Sequence, residues 1–181
     1  MNDKQSILLH CCCAPCASSV LERLITNYNV SVVFYNPNIE PREEYDKRKK
    51  ELAKLLLSMR PLTDARLIEC EYDNAAFKHV ALSLREEPEG FNRCRACFKL
   101  RLAETARLAK AGEYDMFATT LSVSPHKDVK MLNEIGREQA EKHGIGFLDS
   151  DFKKQDGYKR SIELSKEYGL YRQNYCGCQS R

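Results

Sequence analysis

Apolar residues along this chain recur at two alternating periods, and that alternation constrains the fold more than any other feature. Ser6–Leu9 reads as a short buried strand running into His10 and a group of cysteines. From Pro15 onward, Val20, Leu21, Leu24 and Ile25 fall at helical spacing. Val30–Tyr35 is β-rich and ends at Asn36-Pro37-Asn38. Arg42 to about Met59 predicts a charged helix with Leu52, Leu55 and Leu56 inside. A strand over Arg66–Cys70 and a helix from Ala75 to about Leu84 follow, then a loop at Glu86–Asn92. The remainder predicts a helix over Cys94–Ala111, a strand over Met116–Thr119, and a hydroxyl-rich loop over Thr120–Lys127. After these come a helix to about His143, a strand over Gly146–Leu148 and a helix over Gly157–Tyr168. Strands and helices in alternation predict an α/β chain, residues 1–181 as a single domain, with a parallel sheet covered on both faces. Ligands of such sheets collect beyond the carboxyl ends of the strands, where the strand order reverses. The segments after the first and fourth strands, the cysteine run and Thr119–Lys127, are the candidates to line that crevice.

A chain of 181 residues can build a core without disulfides or metal, so its nine cysteines need another explanation. The opening MNDKQS is polar and Ile7-Leu8-Leu9 is short, which does not match a signal peptide. No stretch approaches the ~20 apolar residues of a membrane span. The expectation is a cytoplasmic protein with no membrane partner, in which patterned thiols are reduced and serve metal or redox chemistry. Net charge is only +3, but Arg93–Gly112 holds six basic residues against one acidic. Phe152–Arg181 holds seven against three, and Lys47-Arg48-Lys49-Lys50 adds a third cluster. Each run alone reads as a solvated helix face; three together suit an anionic partner.

The cysteines fall in three groups. His10-Cys11-Cys12-Cys13-Ala14-Pro15-Cys16 occupies the first strand-to-helix turn, where Pro15 suits the opening turn and the helix N-terminus favours thiolates. Cys94 and Cys97 lie three apart on a helix and share a face. Asn92 is placed to cap that helix, and Arg93 and Arg95 to favour ionised sulfur. Cys176-Gly177-Cys178, on an extended chain, would put both sulfurs on one side, with Gly177 letting the backbone pass a bulky object. The groups together offer more thiols than one zinc ion uses. On spacing alone, an iron–sulfur cluster, zinc and dithiol redox chemistry all stay open. Cys70 stands apart and reads as a small hydrophobe. Cys11 is ambiguous, and His10 is placed to orient the ligand loop. His126, in the hydroxyl-rich loop, suits a structural or a functional role equally.

Taken in order, these motifs resemble the QueH-type epoxyqueuosine reductases along nearly the whole chain. The resemblance rests on Leu8-Leu9-His10 before Cys12-Cys13-Ala14-Pro15-Cys16, on Phe34-Tyr35-Asn36-Pro37-Asn38-Ile39, on Cys94-Arg95-Ala96-Cys97 and on Thr119–Lys127. It continues through Ser150-Asp151-Phe152-Lys153-Lys154, Gly157-Tyr158-Lys159-Arg160-Ser161 and Tyr171–Cys178. Cys11 falls on the free position of the family's His-x-Cys-Cys-x-Pro-Cys pattern.

The resemblance implies a Rossmann-like (PP-loop/HUP-like) fold and reduction of the epoxide of epoxyqueuosine, at the tRNA wobble position, to an alkene. It implies a [4Fe-4S] cluster with an adjacent mononuclear iron, and no cobalamin. Cysteines stand where PP-loop enzymes carry a phosphate loop, so no ATP is expected. Of seven family-matching thiols, four would bind the cluster and three would help to hold the iron. Cys94 and Cys97 are expected on the cluster, completed from Cys12, Cys13, Cys176 and Cys178, with Cys16 among the metal ligands. Asp151, just past the last strand, is the candidate to bind the iron or deliver a proton, with His126 next. Lys153, Lys154, Lys159 and Arg160 are the candidate RNA contacts. The implied partners are an anticodon loop and an external electron-donor protein. The rival readings are a zinc-stabilised tRNA-binding module and a cluster-dependent tRNA thiolation enzyme.

Overall fold

The computed structural model describes residues 4–178. Its strands are β1 (Ser6–His10), β2 (Asn29–Phe34), β3 (Leu67–Glu69), β4 (Met116–Thr119) and β5 (Gly146–Phe147). Its helices are α1 (Ala14–Leu24), α2 (Arg42–Ser58), α3 (Asn74–Ala81), α4 (Asn92–Ala111), α5 (Val129–His143) and α6 (Gly157–Glu167). All strands pair in parallel, in the order β3-β2-β1-β4-β5. This doubly wound order reverses between β1 and β4, as the alternating periods predict.

Alternation along β1 sorts the core onto two faces. Ile7 and Leu9 pack with Val20 and Leu21 of α1 and Leu52 and Leu55 of α2. Leu8 points the other way, to Phe98 and Leu102 of α4 and Leu132 and Ile135 of α5. Burying each such side chain stabilises the fold by roughly 1.5–3 kcal/mol. Among the described residues, no helix is long and apolar enough to cross a membrane.

Local chemistry sets the helix starts that matter for the site. Pro15 stands in the first turn of α1 behind Cys13, which flanks the helix in extended conformation. Asp128 caps α5, accepting from the N–H groups of Lys130 (2.8 Å) and Met131 (3.1 Å). The expected cap on α4 is not made by Asn92, which lies inside the helix with Phe91 as its flanking residue. Glu87 takes Asn92 instead, accepting from its backbone N–H (2.7 Å) and side-chain amide (2.9 Å). The loop after β4 is also tighter than its hydroxyl content suggests. Thr120–Val123 is a turn of 3-10 helix, opened by the Thr119 hydroxyl accepting from Leu121 N–H.

Candidate metal centre

The register His10↔Thr119 puts the carboxyl ends of β1 and β4 side by side. His10 is fully buried there and ties strand ends together. Its Nε2 lies 3.1 Å from the Tyr35 carbonyl and its Nδ1 3.0 Å from the Thr119 hydroxyl. Burial, helped by the charge of Arg101, pushes its pKa down to about 3, so the ring is neutral.

From this floor the first thiol set rises. The sulfurs of Cys12, Cys13 and Cys16 all lie within 4.8 Å of one another, with Cys12 and Cys13 3.8 Å apart. Tetrahedral thiolates at 2.3 Å from a single ion stand roughly 3.8 Å apart, so this set has single-ion spacing. Within the group the surroundings favour the ionised form most at Cys12. Hydrogen bonds from Cys13 and Cys16 hold it well below the usual thiol range, and Arg101 and the Thr120 hydroxyl add to them against burial. Its hydrogen-bonding partner Cys13 is pushed up to about 12 by that sharing, and Cys16 is raised for the same reason. Cys11 lies fully buried in the core, and burial raises it well above the thiol range.

A cavity of about 510 Å³ opens over this set, lined by Cys12, Cys13, Cys16, Arg101, Lys127 and Cys176, among others. A second cavity, of about 910 Å³, is lined by Cys94, Cys97, Cys176 and Cys178. The expectation drew the remaining cluster ligands from the first and third groups. The structure lines the larger cavity with the second and third groups, and the smaller one with the first group together with Cys176. The segment Asn174–Cys176 borders both cavities.

The surroundings of the second set differ from those expected. Arg95 reaches away from the sulfurs to Glu134 at 2.6 Å, whereas Arg93 lines the second cavity and donates to the Arg85 carbonyl at 2.8 Å. The cations that act on Cys97 are Arg101 and Lys127, and burial outweighs them to push that thiol up to about 11. Cys94 is raised by burial, against a hydrogen bond from Gly90 N–H at 3.2 Å. Nor is the third motif extended. Gly177 has φ +105°, and a Cβ there would stand 3.1 Å from Ile39 and 3.2 Å from Arg48. The bulky object that Gly177 lets the chain pass is this guanidinium.

The other expected site residues are dispersed. His126 is exposed and borders the smaller cavity, whereas Asp151, Lys153, Lys154, Lys159 and Arg160 line neither. Asp151 has one oxygen, Oδ1, buried without a hydrogen-bond partner among the described residues, and stands outside the three-thiol group. Arg160 is engaged by Glu22 (2.9 and 2.7 Å) and by Glu163 at 3.3 Å. Sequence reasoning missed Arg101, although it lies four residues past Cys97 on the same helix face, a spacing that could have found it. It also missed Asn38 and Gln173, cavity-lining residues each with a side-chain oxygen buried and unpartnered among the described residues.

Fold and site together define a doubly wound α/β protein whose switch point is a thiol-lined site able to hold metal. A family model described as "Epoxyqueuosine reductase QueH" matches residues 7–180. A relative of that name from Staphylococcus epidermidis is 41% identical over 98% of this chain and 76% of its own. Another, from Thermotoga maritima, is 35% identical over 96% of this chain and 88% of its own. The chain belongs to the QueH family of epoxyqueuosine reductases. A crystal structure titled "predicted subunit of tRNA methyltransferase", from Methanocaldococcus jannaschii, aligns with a TM-score of 0.52 at 14% identity, covering 90% of this chain and 76% of that one. That likeness shows the fold alone.

Proposed function

We propose that this chain reduces the epoxide of epoxyqueuosine in tRNA, with the smaller cavity receiving the modified base. The observation that carries this reading is a tight set of three thiols on one cavity beside a second cavity lined by four, with Cys176 bordering both. A single ion suits the spacing of Cys12, Cys13 and Cys16, and a cluster suits four thiols around a larger space. Bound there, a [4Fe-4S] cluster would supply electrons singly and an iron a Lewis-acid position.

Removing an epoxide oxygen as water, leaving an alkene, takes two electrons and two protons; an external donor protein supplies the electrons. The residues of the chain bind and orient. Tyr175, 42% exposed at the cavity wall, offers a ring face to an unpaired base. The Arg172 guanidinium lies 5.3 Å from the Tyr158 ring, and both line the cavity. Asn38 and Gln173 offer unpartnered oxygens to the hydroxyls of the substrate. Lys127 Nζ, 3.4 Å from Cys176 Sγ, holds a proton at the wall of the smaller cavity. Burial works against its charge, and Cys176 and Cys12 outweigh burial, so its pKa is raised. Asp151 is the proposed further ligand or proton carrier, supported by its orphaned Oδ1.

The test is anaerobic iron and acid-labile sulfide analysis beside turnover of epoxide-bearing tRNA. Cys97→Ala should lose most sulfide and all turnover. Cys13→Ala should keep sulfide and the iron that accompanies it, lose the separate iron, and lose turnover. Full sulfide and normal turnover in Cys97→Ala would refute the assignment.

A further inference from the structure

The two thiol sets meet at a buried guanidinium. Arg101 is 2% exposed, yet it lines the smaller cavity. Its Nη2 donates to Asn36 Oδ1 at 2.5 Å, and its Nη1 lies 3.9 Å from Cys97 Sγ. Its Nε lies 3.4 Å from His10 Nε2, but that nitrogen is closer, at 3.1 Å, to the Tyr35 carbonyl. A carbonyl only accepts, so Nε2 carries the proton of the neutral ring, and Nδ1 accepts from the Thr119 hydroxyl. Arg101 Nε therefore faces a donor and gains nothing from His10.

Among the described residues no carboxylate lies within 4.0 Å of Arg101 or of Lys127; every ion pair formed belongs to other cations. Arg48, equally buried at 2% exposure, has Glu44 at 2.6 Å. A buried cation without a counter-charge is strongly unfavourable. The groups near Arg101 and Lys127 that can carry negative charge are thiols: Cys97 beside Arg101, Cys176 beside Lys127, and Cys12 within electrostatic reach of both.

We propose that Arg101 and Lys127 are positioning residues whose counter-charge is the metal–thiolate group itself, and that they raise the reduction potential of the cluster held by Cys94, Cys97, Cys176 and Cys178. This rests on the cluster assignment proposed above. A fixed positive charge in a low-dielectric interior favours the more negative, reduced state of a neighbouring redox group. The step concerned is uptake of one electron from an external reductant, with no bond made or broken and no proton moved.

The experiment is a dye-mediated dithionite titration of the anaerobic holoprotein, followed by electron paramagnetic resonance, with iron and sulfide measured on the same samples. Arg101→Gln should keep its sulfide and lower the reduction equilibrium constant at least tenfold, which is 59 mV for a one-electron couple. Arg101→Lys should recover most of that drop. Arg107→Gln, on the outer side of the same helix beside Glu104, should leave the midpoint unchanged. Lys127→Met should also lower the midpoint, and decides the matter if Arg101→Gln does not fold. An unchanged or raised midpoint in a loaded variant overturns the inference. Wild-type protein without labile sulfide would overturn the cluster assignment instead.

Discussion

Arg48 Nη1 donates to the carbonyl of Cys176 at 3.0 Å, joining residues 128 apart in the chain. The same guanidinium is paired with Glu44 and lies 5.0 Å from the Tyr175 ring. The third cysteine motif is thus held by α2, and beside it by the Glu40 N–H, which donates to the Gly177 carbonyl at 2.9 Å. Removing one partner of a buried pair strands the other charge, so Arg48→Met should cost about 3–5 kcal/mol in thermal or denaturant unfolding. Labile sulfide should fall with it, because Cys176 and Cys178 lose their anchor. Retention of full sulfide would show that the motif is fixed by other contacts.

Asp151→Asn nearly preserves shape while removing the charge. If Asp151 binds metal or moves a proton, turnover should drop on the order of 100-fold or more. The visible absorbance of the cluster should survive, since Asp151 lies apart from the larger cavity. Near-normal turnover would transfer the role to His126.

Cys70 separates a half-buried structural thiol from a ligand thiol. Burial, with a smaller contribution from Glu104, pushes it up to about 11 from the ordinary 9.0. At pH 8 its thiolate fraction, and with it alkylation by iodoacetamide, should be roughly 100-fold below that of the unfolded chain. Because the folded value is raised, its share of stability is whole below pH 9 and is lost as the pH rises toward about 11. Peptide mass spectrometry across pH 7–10 reads the first effect, and Cys70→Ala should keep iron and sulfide.

One of the four candidate RNA contacts also has a structural partner. Arg160 bridges α6 to Glu22 of α1, so reversing it would break a structural pair. Lys154 is 77% exposed, and Lys159 is exposed beside the cavity residue Tyr158. Reversal of Lys153, Lys154 and Lys159 to Glu should raise KM for epoxide-bearing tRNA and reduce the salt slope of binding by about 2. Normal binding at every salt concentration would remove this surface from the RNA path.

Hydrophobic period alone revealed the order of strands and helices, because each face of the sheet imposes its own repeat. Spacing also revealed that Cys94 and Cys97 share a helix face. It could not reveal the division of thiols, which depends on where α4 and the segment after α6 come to lie. Arg48 and Arg101 were hidden for the same reason. Each sits in a basic run that reads as a solvated face, yet each turns inward, as Arg93 also does in the second run. Linear charge counting does not distinguish a buried guanidinium from its exposed neighbours; only the facing partners, Glu44 in one case and thiols in the other, give it a role. Asn92 was misplaced by a single position, because Glu87 competes for its amide.

The pairing of β1 with β4 also bears on how the protein is made. β1 finds β2 early, through the register Ser6↔Asn29, but its other neighbour begins with Ile7↔Met116. Parallel pairings this distant form slowly, since a long loop must close before any contact rewards it. Until β4 docks, Cys12 lacks the Thr120 hydroxyl, and Cys12, Cys13 and Cys16 lack the cover of the following loop. Nascent chains therefore present clustered thiols to oxidants and stray metal ions for as long as docking takes. Excluding oxygen during expression acts on thiol damage and leaves the rate of strand closure as it is, so it should raise the share of chains whose thiols stay intact until β4 docks.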